Sequence, residues 1–515
     1  MPPATSEAPE PGSRKEISIL IISIFIAGLC SIIYELLIST ASSYFLGDSV
    51  KQFSITIGLY MAAMGMGSYI SRLIKKNLLS KFIAVEILLG FLGGMSVPIL
   101  YFCYAYTRFY SFYMVLVILA IGILIGLEIP LLTRIMQRYY TLKINISTVL
   151  SIDYLGALIA TLLFPFILLP FLGTFKSALF FGLINMGIGF LNLWCFRDTL
   201  QIQRRKLYAS ASAAVSLTLL VFFLSAPILL NTWSNSLYED RIILSEQTRY
   251  QKIILTKNKD DIRLFLDGNL QFSSIDEYRY HEALVHVPFG LAPKRSRVLL
   301  LGGGDGLAIR EMLKYPDVEH ITVVDIDPEI TRISMENPHL SRMNGGSLKD
   351  ARVTIVHADA FVFLKENRAA YDVVIADLPD PNNTGLSRLY SKTFYQLVRA
   401  RLAPQGIFLT QATSPYYAKK AFWCIDETLQ AAGLQTKPYH AYIPSFGDWG
   451  FILAARENLN PQVLKIAVPT RYLEETLLDS LFVFSKDMLS EEAAPSTLDQ
   501  PVILSYYLDG WRYWN

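Results

Sequence analysis

The sequence predicts a chain in two parts: an α-helical multi-pass membrane domain, then a small β domain with an α/β domain built on a doubly wound parallel sheet. Two observations predict this division. Long apolar segments follow one another only between about residues 17 and 230, and charged residues with shorter apolar runs return after that. Overall, 52% of the residues are apolar and 17% are charged, which excludes a disordered chain, a collagen-like chain and a purely soluble enzyme.

The first part predicts about seven membrane spans. Residues 1–15 are rich in Pro, Ala, Ser and Glu, which predicts a disordered tail and no signal peptide. The apolar segments that follow are each about as long as an α-helix that crosses the hydrocarbon core. They lie near residues 17–40, 53–71, 82–103, 110–133, 148–172, 177–196 and 207–230. We therefore expect a transmembrane helical domain over 16–230 and a multi-pass location in the cell membrane.

The loop charges and four acids add detail to this domain. The tail and the loops after the second, fourth and sixth segments hold 13 Lys or Arg, and the other three loops hold three. The positive-inside rule then predicts a cytoplasmic N-terminus. Four acids lie inside the segments: Glu35, Glu86, Glu128 and Asp153. They indicate either a path for a cation or hydrogen-bonded contacts between helices, and the sequence leaves both open.

The second part begins with alternating apolar and polar residues, which predict a small β region over 231–292. Residues 252–256 and 262–266 read as strands, Asp267 and Gly268 as a turn, and 276–291 as a helix. Residues 293–456 then alternate strands with helices, which predicts a Rossmann-like parallel sheet. Its strands are expected at 298–301, 321–324, 353–357, 371–376, 406–410 and 450–454. Residues 457–515 form a C-terminal extension without interpretable chemistry.

Glycines and acids mark the expected carboxyl edge of this sheet. Gly302 and Gly304, in the first strand–helix turn, let the backbone approach a nucleotide or adenosyl group, and Asp325 ends the next strand, where it can bind a ribose. Asp305 would repel a pyrophosphate within the turn and attract a cation. Since ligands bind at the carboxyl ends of such strands, Asp305, Asp325, Asp377 and Asp380 should converge. This carboxylate cluster favours a polycationic amine as substrate, with a Mg²⁺ site as the alternative.

Charge and cysteine content argue against two other classes. The net charge of +2 gives no bulk field that would attract nucleic acid. Four cysteines are too few for a disulfide scaffold, and none shows the spacing of a zinc site. We expect no metal and no nucleic-acid partner.

Several motifs in order over residues 240–455 resemble a known family. They include Leu266-Asp267-Gly268 with Gln271, Asp276-Glu277-Tyr278 with Tyr280-His281-Glu282, the glycine turn with Asp305, Asp325-Ile326-Asp327, Asp359, Asp377 with Asp380-Pro381, and the stretch 389–395. In this combination the chain resembles the polyamine aminopropyltransferases, of which spermidine synthase is the type. The spans and residues 446–451 resemble the membrane-anchored bacterial branch of that family.

The resemblance implies a reaction and a set of roles. An aminopropyl group would pass from decarboxylated S-adenosylmethionine, a co-substrate, to a diamine, with putrescine expected, giving spermidine and methylthioadenosine. No prosthetic group is implied. Asp377 would be the general base, and Asp305 would hold the ammonium of the donor. The acceptor amine would be oriented by Tyr280, His281 and Asp380.

The adenosyl side of the site follows from the same resemblance. The residues expected to bind the donor or methylthioadenosine are Gln251, Gly302, Gly304, Asp325, Asp359 and Ala360, with Asp325 at the ribose and Asp359 at the adenine amino group. The further partners expected are the lipid bilayer and a second copy of the chain in a homo-oligomer.

Departures from the family pattern and alternative readings remain. Asp325 replaces the usual Glu, and Phe446 replaces an acceptor-side Tyr, which leaves the exact amine open. Tyr280 and His281 read alone would be a core aromatic and a helix-surface residue, and Asp359 a helix cap. Ala360 and Thr384 stand where Gly and Pro are common in soluble relatives.

Two other functions and one conflict also stay open. One alternative is an S-adenosylmethionine methyltransferase, and the other is a polyamine transporter or sensor with a binding module. The cytosolic donor favours a cytoplasmic catalytic domain, whereas seven spans counted from a cytoplasmic N-terminus place that domain on the other side. A re-entrant segment or an eighth span would remove this conflict.

Overall fold

The computed structural model describes residues 14–46, 49–238, 240–489 and 492–512. The chain divides into two compact units, residues 1–239 and 240–515. Of the tail expected at 1–15, residues 1–13 lie outside the described residues, and the first helix begins at Arg14.

The first unit is a bundle of long helices that contain all seven predicted segments. The helices are α1 (Arg14–Leu46), α2 (Ser49–Ser71), α3 (Leu78–Tyr106), α4 (Tyr110–Met136), α5 (Leu142–Leu163), α6 (Leu169–Cys195) and α7 (Ile202–Leu237). A π-helical turn, Phe164–Leu168, joins α5 to α6. The fifth and sixth segments therefore share one helical stretch of 54 residues, interrupted at Gly173, where φ is 67° and ψ is 177°.

The bundle is apolar outside and in its core. By length and composition, six of its described helical stretches could cross a membrane, with the stretch 142–195 counted once. Large apolar side chains such as Phe171, Leu224 and Ile228 are more than two-thirds exposed. Glycines let the helices touch: a Cβ on Gly67 would lie 2.1 Å from the Ile123 carbonyl oxygen. Of the four acids, Glu86 and Glu128 are buried inside the bundle.

The second unit starts with a four-stranded antiparallel meander, as the alternating pattern predicts. Its strands are β1 (Arg241–Gln247), β2 (Lys252–Asn258), β3 (Asp261–Leu266) and β4 (Asn269–Ser273). Asp267 and Gly268 form the β3–β4 turn with φ values of 49° and 83°, which Asp and Gly tolerate best. Helix α8 (Glu277–Leu291) follows and leads into the larger sheet.

The larger sheet has seven strands in the order β10-β11-β9-β8-β5-β6-β7. They are β5 (Arg297–Gly302), β6 (His320–Asp325), β7 (Val353–His357), β8 (Tyr371–Asp377), β9 (Leu402–Gln411), β10 (Gln435–Ile443) and β11 (Gly447–Ala455). Strands β5 to β9 are parallel, but β11 pairs antiparallel with both β9 and β10. The predicted parallel sheet is therefore confirmed for β5 to β9, and β10 and β11 add an antiparallel edge that the sequence pattern did not predict. Strand β10 escaped prediction because Lys437, Pro438 and His440 interrupt its apolar pattern.

Helices cover both faces of this sheet and leave its carboxyl edge accessible. They are α9 (Leu307–Met312), α10 (Pro328–Glu336), α11 (Pro338–Met343), α12 (Ala360–Glu366), α13 (Thr384–Ser387), α14 (Lys392–Arg401), α15 (Lys419–Ala431), α16 (Glu475–Leu478) and α17 (Val502–Trp511). Residues of α8 and α9 join one apolar core, and residues of α12, α14 and α15 join the core on the other face. The strand order reverses between β5 and β8, which is where such sheets bind ligands.

Candidate active site

The glycine turn brings the ends of β5 and β8 together. Gly302, Gly303 and Gly306 have φ values of 82°, 68° and 83°, which residues with a Cβ rarely adopt. A Cβ on Gly302 would lie 2.0 Å from the carbonyl oxygen of Asp377. This glycine therefore lets the turn lie directly against the end of β8, and it brings Asp305 and Asp377 into one cleft.

Asp305 lies within the turn, and Asp325, at the end of β6, bonds to it. Asp325 accepts hydrogen bonds from the backbone N–H of Gly304 (3.1 Å) and of Asp327 (2.9 Å). Burial raises the pKa of Asp325 to about 6 despite these bonds. Asp305 accepts from the Leu307 N–H at 2.8 Å, and burial raises its pKa as well. Each oxygen of Asp325 accepts one backbone N–H, and Asp305 accepts through Oδ1, so both carboxylates can accept further hydrogen bonds from positive or hydroxyl-bearing groups.

Asp377 accepts a hydrogen bond from Tyr280. The Tyr280 hydroxyl donates to Asp377 Oδ1 at 2.6 Å, and Tyr280 is 8% exposed. Burial, together with the charge of Asp305, raises the pKa of Asp377 to about 6, although His281 and Tyr280 oppose this rise. A half-buried carboxyl group with such a pKa is largely ionised at neutral pH and can still accept a proton.

His281 belongs to a buried ionic chain behind Tyr280. Its Nδ1 lies 2.8 Å from the Glu277 carbonyl oxygen and 2.9 Å from Glu277 Oε2. Arg310 binds both carboxylate oxygens of Glu277 at 2.9 Å. Burial opposes ionisation, but hydrogen bonds from His281 and Arg310 lower the pKa of Glu277 to about 2. Burial also disfavours the imidazolium, yet contact with Glu277 raises the pKa of His281.

Asp380 is held by three neutral donors. Gln411 Nε2 donates at 3.1 Å and Thr413 Oγ1 at 3.3 Å, and the Tyr507 hydroxyl also bonds to this carboxylate. Burial raises the pKa of Asp380 to about 6 against these bonds. Tyr507 lies on α17, within the extension in which the sequence showed no chemistry. That segment therefore contributes directly to the cleft.

The expected adenosyl residues lie on the other side of the turn. Gln251 Nε2 donates to Asp327 Oδ2 at 3.1 Å, which places Gln251 beside Asp325. Asp359 caps α12 by accepting from the Val362 N–H at 3.1 Å, and it also pairs with Arg388. The helix-cap reading of Asp359 thus describes the structure, and any contact with adenine stays a prediction. Ala360, the first residue of α12, is buried.

The structure brings most of the predicted site together and adds three residues. Asp305, Asp325 and Asp377 lie at the glycine turn, Tyr280 bonds to Asp377 with His281 next to it along α8, and Asp380 follows β8. Sequence reasoning missed Arg310, Gln411 and Tyr507. Arg310 could have been noticed as a basic residue in the helix after the turn, whereas nothing in the sequence near Tyr507 indicated a site.

Two aromatic residues, Phe446 and Trp449, form ring contacts that lead to Tyr280. The ring of Phe446 lies 6.2 Å from that of Tyr280 and 5.0 Å from that of Trp449. No group of three His, Cys, Asp or Glu side chains that could hold a metal ion occurs in the described ranges. The cleft combines carboxylates with aromatic rings, and both kinds of group bind alkylammonium ions.

Comparison with known proteins gives consistent matches. The family profile described as "Spermine/spermidine synthase domain" matches residues 277–464. A polyamine aminopropyltransferase of Leptospira interrogans is 42% identical over 497 residues, which cover 96% of this chain and 98% of that protein. One of Oceanobacillus iheyensis is 40% identical, covering 95% and 96%. A crystal structure of spermidine synthase in complex with the transition state analogue AdoDATO is 27% identical, with a TM-score of 0.44, covering 48% of this chain and 86% of that one.

Proposed function

Since the chain belongs to the polyamine aminopropyltransferase family, a family of transferases, we propose that its cleft moves an aminopropyl group from decarboxylated S-adenosylmethionine to a diamine. Putrescine is the expected acceptor, and spermidine with methylthioadenosine are the products. The observation that carries this proposal is the bond of Tyr280 to Asp377 beside the glycine turn, since it fixes a base where an amine and an adenosyl group can meet.

The chemistry needs few groups because the donor is already activated. Asp377 Oδ2 first accepts a proton from the ammonium of the acceptor, while Oδ1 stays bonded to Tyr280, and this frees the lone pair of the nitrogen. The lone pair attacks the aminopropyl carbon bonded to the sulfonium, the C–S bond breaks, and its electron pair goes to sulfur. Holding the two reactants in line also contributes to the acceleration, because the reaction of two bound molecules then needs no further loss of translational and rotational freedom.

The positive groups of both substrates match the carboxylates. Asp305 binds the primary ammonium of the donor, and Asp325 accepts the ribose hydroxyls beside the Gly304 backbone. Asp380 binds the remote ammonium of the diamine, held in place by Gln411 and Tyr507. An ammonium in this partly desolvated site interacts more strongly with a carboxylate than it would in water.

The test is an assay on the purified full chain with the donor and a panel of diamines and longer amines, with products identified by mass. We expect each product to be heavier than its acceptor by one aminopropyl group and to form with one methylthioadenosine. Asp377→Asn should retain donor binding and lose turnover. A wild-type chain that binds the donor and converts none of the amines would refute the proposal.

We further propose that the helical unit crosses the cell membrane. Six helical stretches of sufficient length and apolar character, with large apolar side chains turned outward, support this. Extraction of membranes with alkaline carbonate should leave the chain in the pellet, and detergent should release it. Release by carbonate alone would contradict the proposal.

A further inference from the structure

The partly exposed Arg310 and the buried Glu277 form an ion pair next to His281. Glu277 is 5% exposed and His281 2%. Both guanidinium nitrogens Nη1 and Nη2 of Arg310 reach Glu277 oxygens at 2.9 Å, the geometry of a bidentate pair. Arg310 also donates to the Met343 carbonyl oxygen at 2.8 Å and, through Nε, to Glu311 at 2.9 Å. The guanidinium is thus fixed on three sides.

The pair determines the orientation of His281. Because the guanidinium keeps Glu277 ionised, Glu277 Oε2 acts as an acceptor toward His281 Nδ1, at 2.9 Å. The Glu277 carbonyl oxygen is a second acceptor for the same nitrogen, at 2.8 Å. Two acceptors at one ring nitrogen place a proton on Nδ1. The Glu277 carboxylate favours the charged imidazolium form of His281. Since Nδ1 faces Glu277, Nε2 lies on the opposite side of the ring.

The imidazolium has two further carboxylates within electrostatic reach, Asp305 and Asp377. The charge of Asp305 raises the pKa of Asp377, and the positive charge of His281 lowers the pKa of both acids. Among the elements packed against α8, α9 presents Arg310 and Glu311. Strand β8 presents Asp377, which accepts from Tyr280, and also contains Tyr371 and Asp372. Strand β10 contains Tyr439, which bonds to the Ala283 carbonyl oxygen, together with Lys437, His440 and Tyr442. Strand β11 contains Asp448, and β9 contains no titratable residue.

We propose that Arg310 is a positioning residue: through Glu277 it holds His281 as an oriented imidazolium, and that charge keeps Asp305 and Asp377 ionised together. The hydrogen bonds of Arg310 are with Glu277, Glu311 and the Met343 carbonyl oxygen. The inference rests on the proposed aminopropyl transfer, since Asp377 must be ionised to act as the base. Arg310 would thus set the pH range of the reaction through its ion pair with Glu277.

The test compares kcat/KM for the amine against pH in the wild type, Arg310→Met and Glu277→Gln. Loss of the imidazolium charge raises the proton affinity of Asp377, so the acid limb, expected near pH 6 in the wild type, moves up by about one pH unit. The ratio of variant to wild type then falls about fivefold at pH 6 and returns toward its plateau at pH 8.5. Arg310→Lys keeps the charge and should retain the wild-type limb at a lower plateau.

Lys314→Met is the matched control, because Lys314 forms an ion pair with Glu311, the residue after Arg310, and not with Glu277. Its acid limb should coincide with that of the wild type. A loss of activity in Arg310→Met that is equal at every pH would show a purely structural role and overturn the proposal. An acid limb that moves as far in Lys314→Met as in Arg310→Met would also overturn the proposal.

A second measurement separates this proposal from the proposed function and does not need a fully active variant. Nitrogen NMR of labelled imidazole rings in the detergent-solubilised chain follows the His281 ring, assigned through His281→Gln. We expect an imidazolium at pH 6 in the wild type and a neutral ring at that pH in Glu277→Gln. A neutral His281 ring in the wild type would overturn the inference even if aminopropyl transfer is confirmed, and the expected imidazolium would support it even if transfer is not found.

Discussion

Replacement of Tyr280 by Phe should shift the pH dependence of the reaction. The change removes the hydroxyl that donates to Asp377 Oδ1 at 2.6 Å and leaves the ring in place against Phe451. A hydrogen bond to a charged group contributes about 1.5–3 kcal/mol, or about one to two pKa units if it favours only the carboxylate form. The Tyr280 hydroxyl lowers the pKa of Asp377, so the loss of this hydroxyl raises that pKa from about 6 to about 7–8.

The assay is kcat/KM for the amine, measured from pH 5.5 to 9.5 in Tyr280→Phe and wild type and expressed as their ratio, which cancels the titration of the amine. For a new pKa of about 7.5 the ratio falls about 15-fold at pH 6 and approaches its plateau near pH 9. Tyr439→Phe is the matched control, since the hydroxyl of the buried Tyr439 donates to a backbone oxygen at 2.7 Å. A ratio for Tyr280→Phe that is independent of pH would refute the reasoning.

Three further changes test other parts of the account. Tyr507→Phe removes one of three donors from Asp380, and we expect KM for the diamine to rise about tenfold with KM for the donor unchanged, as steady-state kinetics with both substrates would show. Gly304→Ala places a Cβ 2.5 Å from Asp325 Oδ2, so donor affinity should fall in a titration with methylthioadenosine, and equal affinity would contradict the assigned ribose site. Glu282→Gln weakens a buried carboxylate that accepts from the backbone N–H groups of residues 471–473 at 2.6–3.0 Å, and thermal unfolding should show a loss of about 1–3 kcal/mol.

The sequence predicted the parts of the fold that local patterns encode. The seven helical segments, the β3–β4 turn at Asp267 and Gly268, and strands β5 to β9 all follow from apolar runs bounded by turn residues. The antiparallel edge did not, because β10 contains Pro438 and obtains its place from pairing with β11. Tyr507 was equally inaccessible, since it reaches Asp380 only after about 120 residues of intervening chain have folded.

Charge networks marked the other limit of sequence reasoning. The sequence assigned Tyr280 and His281 to the acceptor amine and gave Glu282 no role, and in the structure the three neighbouring side chains have different partners. Tyr280 bonds to Asp377, His281 turns toward Glu277, and Glu282 holds the C-terminal extension. Spacing along α8 gives the direction of each side chain around the helix, but the partner depends on the elements that pack there.

The most direct test of the central claim follows two labels. The purified chain is given putrescine with decarboxylated S-adenosylmethionine labelled with ¹³C in the aminopropyl chain or in the methyl group, and in parallel with S-adenosylmethionine labelled in its methyl group. We predict that the aminopropyl label appears in spermidine, that the methyl label of the decarboxylated donor stays in methylthioadenosine, and that Asp377→Asn abolishes both products. Transfer of a methyl label to the amine would contradict the assignment of this cleft to aminopropyl transfer.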